Sequence, residues 1–249
     1  MLRDMALLHG GGQGGWIWEA TIAAIRLQDG SDARHILALD IPGCGTKRGR
    51  DTAGLDHAAV IEELARDIEA AGLSDALLVG HSQAGTVLPR LSTRSARIAR
   101  TAYVTCCAPE KGQTVSAMMG IGIHGADPDS VGWPLDPLTT PQRDLFRAMF
   151  CNDMTAAEAD GFLATLGNDA WPAACGMAET NWSYAEARTV PALYVIALRD
   201  AILPPAWQQR FAERIGAIEI ARVDTGHQPM NTHPHALAEI LRSFATISA

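Results

Sequence analysis

Short apolar runs alternate with amphipathic helical patterns along most of the chain, and few architectures accept that alternation. Met5–Leu8, His35–Leu39, Ala76–Val79, Ala102–Thr105, Ala192–Leu198 and Ile218–Val223 read as six strands. Ile17–Leu27, Ala58–Ala71, Thr86–Leu91, Ala206–Ile215 and His235–Ala245 carry helical spacing, and Gly72 is a stop signal after the second. Strands separated by helices pair in parallel and need helices on both faces of the sheet. The crossovers are right-handed, and functional groups gather at the C-terminal ends of the strands. The expected fold class is therefore α/β: a mainly parallel sheet of about six strands. A chain of 249 residues with 47% hydrophobic content can fill one large core.

Residues 110–189 break the rhythm. They hold no convincing strand but carry Met118, Met119, Trp133, Phe146, Met149, Phe150, Met154, Phe162, Trp171, Met177 and Trp182, with the Pro-rich piece Trp133–Pro141. The segment leaves the chain after a strand end, where a lid would cover a site. The expectation is one domain, 1–249, with a helical cap inserted at about 110–189. Ordinary core helices are the competing reading, because Met and aromatic residues fill cores everywhere.

The chemistry starts at Leu77–Leu91, LLVGHSQAGTVLPRL. A strand ending in G-x-S-x-G and turning at once into a helix raises the serine hydroxyl above the sheet. The small residues flanking Ser82 are Gly80 and Ala84, the second one methyl larger than the usual glycine. Alone, Ser82 reads equally well as a helix N-cap. A serine nucleophile needs a base, and the base an orienting acid, in the chain order Ser, Asp or Glu, His. Asp200 follows the fifth strand and His227 the sixth. His35, His57, His124, His233 and His235 lack that strand-end position, and Asp224 lies only three residues before His227. The glycines of Leu7–Trp18, LLHGGGQGGWIW, allow backbone N–H groups to face the site, and the N–H of Gln83 is the second expected oxyanion donor. This loop matches no phosphate-binding glycine pattern.

Other classes are poorly supported. The net charge is −8 and no long Lys/Arg run is present, which argues against nucleic acid. No apolar stretch reaches membrane-spanning length, and Met1–Gly12 does not read as a signal peptide. Cys44, Cys106, Cys107, Cys151 and Cys175 are odd in number and unpaired in spacing, so neither a disulfide framework nor a metal site is expected. Cys106–Cys107 reads as a small buried pair at a strand end. Cytoplasm is the expected compartment.

These features resemble the α/β-hydrolase superfamily. The chain is most similar to the branch holding plant-type methylesterases and hydroxynitrile lyases with their bacterial relatives. His9–Trp18, Asp40–Gly45, Gly80–Gly85, Phe150–Asp153, Leu198–Phe211 and Gly226–Pro234 carry the likeness. It implies Ser82 as nucleophile, His227 as base, Asp200 as orienting acid, oxyanion donors at the Gly11 and Gln83 N–H groups, and no cofactor. His81 and Asp40 fit structural positions of the family. The lyases carry a lysine after the catalytic histidine and a threonine in the first oxyanion segment, whereas this chain has Gln228 and Gly10 there. Ester hydrolysis is thus favoured over lyase activity.

Gly10, Gln228, Trp133, Met118, Met119 and Phe150 are the expected substrate-binding residues. The expected substrate is a small to medium hydrophobic ester. A non-hydrolytic enzyme on the same scaffold and a small-molecule receptor remain the alternatives. The exposed face of the cap is a candidate homodimer surface.

Overall fold

The protein is described by a computed structural model covering residues 3–30, 34–177 and 182–246. Six parallel strands form one sheet in the order β2-β1-β3-β4-β5-β6. In chain order the elements are β1 (Met5–Leu8), α1 (Glu19–Asp29), β2 (Ile36–Leu39), α2 (His57–Ala70), β3 (Ala76–His81), α3 (Leu88–Arg94) and β4 (Ile98–Val104). Then come α4 (Val115–Met119), α5 (Gln142–Phe150), α6 (Ala156–Thr165) and α7 (Tyr184–Ala187). The chain closes with β5 (Ala192–Ala197), α8 (Pro205–Ile215), β6 (Glu219–Val223), α9 (Pro229–Thr232) and α10 (Pro234–Ala245).

Side-chain alternation along each strand splits the core in two. Met5, Leu7, Leu77, Val79, Leu193 and Val195 pack with Ile25 of α1 and Leu237, Leu241 and Phe244 of α10. Ala6, Leu8, Leu78, Tyr103, Tyr194 and Ile196 pack on the other face with Leu64 of α2, Leu91 of α3 and Phe211 of α8. β1, β3 and β5 are wholly buried, while the edge strands β2 and β6 are mostly half-buried or exposed. That contrast is why the central strands read as unbroken apolar runs.

Most element ends shift by a residue or two from the sequence reading, and three of the shifts have a clear cause. β3 runs on to His81, because Gly80 and His81 stay in register with Tyr103 and Val104 although neither is apolar-aliphatic. β4 begins at Ile98, and its polar first half hides it from an apolar pattern. Residues Ser82–Thr86 form a 3-10 turn before α3, which delays the helix. The chain between β4 and β5 holds α4–α7 and, among its described residues, no strand beyond an isolated Ile123–Trp133 bridge. Residues 178–181 of that excursion lie outside the described residues.

Candidate active site

Ser82 sits at the sharp end of β3 with φ 53°, in the left-handed region that a residue with a Cβ enters at a cost of about 1–2 kcal/mol. Close backbone approach makes this turn possible. A Cβ on Gly85 would overlap the Cys107 carbonyl oxygen. A Cβ on Gly80 would overlap Leu88 and come within 2.9 Å of the Ala84 Cβ. Alanine at 84 thus fits because position 80 has no side chain.

His227 Nε2 lies 2.9 Å from Ser82 Oγ, and His227 Nδ1 lies 2.7 Å from Asp200 Oδ2. Both the His227 and Asp200 side chains are sealed from solvent. Asp200 is itself held: Ile202 N–H and Leu203 N–H donate to Oδ1 at 2.7 and 2.9 Å, and Gln208 Nε2 donates to Oδ2 at 3.2 Å. The backbone bonds fix one carboxylate oxygen and leave the other for the imidazole. The His227 carbonyl accepts from His81 Nε2 at 3.0 Å and from Thr105 Oγ1 at 3.4 Å. Burial holds His81 well below its ordinary pKa, so it acts as a neutral strut. Asp153, from the chain between β4 and β5, accepts Gly226 N–H at 2.7 Å and Thr225 Oγ1 at 2.8 Å on its Oδ2, which pins the loop that carries His227. Asp224 instead pairs with Arg199 at 2.8 Å, away from the imidazole.

Ser82 opens into a cavity of about 290 Å³. Gly11, Gln83, Met118, Met119, Trp133 and Phe150 line it, as do Gly12, Cys107, Val115, Phe146, Met149, Leu166, Gly167, Ile202 and Leu203. The other two substrate-binding expectations are placed elsewhere. Gly10 is absent from the lining and lies behind Ser82, where a Cβ would meet Ser82 Cβ and His81 Nδ1 at 3.0 Å. Gln228 is fully buried and does not reach the cavity, because the chain turns into α9 directly after His227. Among the described residues Gly11 N–H donates to no backbone acceptor, and Gln83 N–H lies in the first residues of the 3-10 turn, where N–H groups have no partner within the turn. Asp40 accepts Gly15 N–H at 2.7 Å and Thr46 N–H at 2.8 Å, and it joins the loops after β1 and β2.

Cys106 and Cys107 are buried, and burial raises both thiols, Cys107 to about 12. Among the described residues no group of three or more His, Cys, Asp or Glu is arranged to hold a metal ion. Among the described residues no helix is long and apolar enough to cross a membrane.

Sequence reasoning missed Asp153, Gln208, Ile202 and Leu203. An Asp followed two and three residues later by N–H donors is a recognisable turn pattern, so Ile202 and Leu203 had a signal. Asp153 had no local pattern, since its partners are 72 and 73 residues away, and only the family likeness of Phe150–Asp153 marked its segment.

The chain is similar to several known proteins. A carbendazim hydrolyzing esterase from Nocardioides sp. (strain SG-4G) is 29% identical over 119 residues, 47% of this chain and 48% of its own length. A second relative, from Arabidopsis thaliana, is 22% identical over 264 residues, covering 99% of this chain and 65% of its own. The chain thus spans less than two thirds of either curated relative. The crystal structure of a pyrethroid hydrolase from Sphingobium faniae JZ-2 has a similar fold, with TM-score 0.76, 21% identity and 98% of both chains covered. Residues 5–240 match one family over nearly the whole chain, and the protein belongs to the alpha/beta hydrolase family.

Proposed function

We propose that the protein is a carboxylic ester hydrolase acting through an acyl-enzyme on Ser82. The observation that carries this is the unbroken chain from Ser82 Oγ through His227 to Asp200, which opens on an apolar cavity. Ser82 Oγ bonds to the ester carbonyl carbon while His227 Nε2 takes its proton. Asp200 keeps the imidazole in the tautomer with its free Nε2 lone pair toward the serine. Gly11 N–H and Gln83 N–H receive the oxyanion, each donor worth about 3 kcal/mol in the transition state. The alkoxide leaves with the proton from His227, and water then repeats the sequence to release the acid.

The described part of residues 110–189 supplies Met118, Met119, Trp133, Phe146, Met149, Phe150, Leu166 and Gly167 to the cavity. We read this segment as a cap within a single domain. A wall of this chemistry favours an uncharged ester of small to medium size. Gln228 offers no cation to a departing cyanide, which supports hydrolysis over a hydroxynitrile-lyase outcome.

The test is initial rate on chromogenic esters of increasing acyl length, wild type beside Ser82→Ala. The variant is expected to lose turnover by about 10⁴-fold or more. Retention of wild-type turnover by Ser82→Ala would sink the proposal.

A further inference from the structure

The Gly10 carbonyl and the Gly11 N–H belong to one peptide unit, so the direction of one fixes the direction of the other. Two side chains hold that carbonyl. His9 Nδ1 donates to it at 2.8 Å, and Trp171 Nε1 donates to it at 3.1 Å. His9 is the sequence neighbour, steadied by Ile41 N–H on its Nε2 at 3.2 Å. Trp171 arrives from 161 residues away, in the chain between β4 and β5, and meets the His9 ring edge-on at 5.9 Å.

The segment that brings Trp171 is itself tied down. Gly167 N–H donates to the Gly12 carbonyl at 3.1 Å. Asp169, buried, accepts Trp16 Nε1 at 3.1 Å, Gly45 N–H at 2.8 Å and both arms of Arg48 at 2.9 Å. Residues 167–171 therefore form a strap across the glycine loop, bonded to the carbonyls of Gly10 and Gly12 on either side of Gly11.

We propose that Trp171 is a positioning residue that sets the Gly10–Gly11 peptide so that the Gly11 N–H faces the developing oxyanion. This deepens the ester-hydrolase reading and rests on it. Three consecutive glycines leave the peptide planes free to rotate. Two donors on one carbonyl remove that freedom before substrate arrives, and they polarise the peptide so that its N–H becomes a stronger donor. The indole N–H, rather than the bulk of the ring, carries the effect.

The experiment replaces Trp171 by its benzothienyl isostere, in which sulfur stands for N–H, with Trp171→Phe as a second variant. Wild type and Ser82→Ala are assayed beside them. Ester kinetics are joined by inhibition with an aryl trifluoromethyl ketone. Ser82 Oγ adds to that ketone's carbon, the carbonyl π pair becomes the oxyanion, and the serine proton moves to His227.

The isostere is expected to lower kcat by about tenfold, the scale of one lost hydrogen bond. KM, thermal midpoint and product-acid binding stay at wild-type values, and the ketone's inhibition constant rises by the same factor as kcat falls. Wild-type kcat and ketone affinity in the isostere would overturn the proposal, as would a loss shared equally with product binding. If wild type hydrolyses esters and Ser82→Ala does not, such a result condemns Trp171's role alone. Absence of ester turnover in wild type condemns the parent reading and this one with it.

Discussion

Ser82 and Thr105 end neighbouring strands, and both have positive φ, 53° and 46°. Both also touch His227, one at its ring and one at its carbonyl. Backbone strain therefore lies where two strands deliver groups to one imidazole, held there by the packed strands behind it. At the same scale Asp200→Asn separates orientation from packing. The Ile202 and Leu203 N–H groups keep an amide oxygen as acceptor, so the fold is retained while the imidazole loses its preferred tautomer. The expected result is a fall in kcat of about 10³–10⁴-fold with little change in the urea midpoint. That Ser82, Asp200 and His227 come together was legible in the sequence, because each follows an apolar strand in the required order. Gly10 and Gln228 were misplaced as cavity residues because adjacency to a functional residue in sequence does not say which way a backbone turns next. Trp171 was visible as one aromatic among many, and no local pattern ties it to Gly10.

At the scale of elements, the strap joins pieces that lie far apart in the sequence. Asp169 connects the 3-10 turn at Gly15–Trp18 with the turn after β2 at Gly45 and Arg48. Burial raises its pKa, but the bonds from Arg48, Trp16 and Gly45 outweigh burial, and the carboxyl sits below its ordinary value. A carboxyl depressed by folding adds stability above its unfolded pKa and loses it as pH falls through the lower folded one. Asp169→Ala leaves Trp16 Nε1 and Gly45 N–H without this acceptor. It is expected to destabilise by about 2–3 kcal/mol, read by urea unfolding at pH 7. The strands and main helices were legible because each carries its own period. The excursion was legible only as an interruption, since its short helices and long turns are held by contacts such as those of Asp169, which have no period in sequence.

At the scale of the whole molecule, His9, His57 and His81 are buried far apart along the chain, and burial lowers the pKa of each. His57 falls to about 4, with the Arg90 guanidinium adding to the effect of burial. Between that value and the unfolded one near 6.5, the unfolded chain binds a proton that the folded chain refuses. Stability is therefore full above about pH 6.5 and declines as pH drops, by about 1.4 kcal/mol per pH unit for each such site. Urea midpoints measured from pH 7.5 to 5 are expected to fall, and His57→Gln is expected to fall less steeply, while still offering Arg90 an acceptor.

The direct pairing of β4 with β5 has a consequence for how such proteins diversify. The two strands are hydrogen bonded side by side although residues 105–191 run between them. The entropy of closing a loop grows only with the logarithm of its length, about 0.6 kcal/mol for each doubling. The sheet is therefore nearly indifferent to how long that excursion is or how it is shaped. A lineage can rebuild the chamber walls, and so change what enters, while the sheet that carries Ser82, Asp200 and His227 folds as before. Within the excursion, residues 167–171 are constrained against such drift, because Trp171 bonds the Gly10 carbonyl 161 residues away and Gly167 bonds the Gly12 carbonyl.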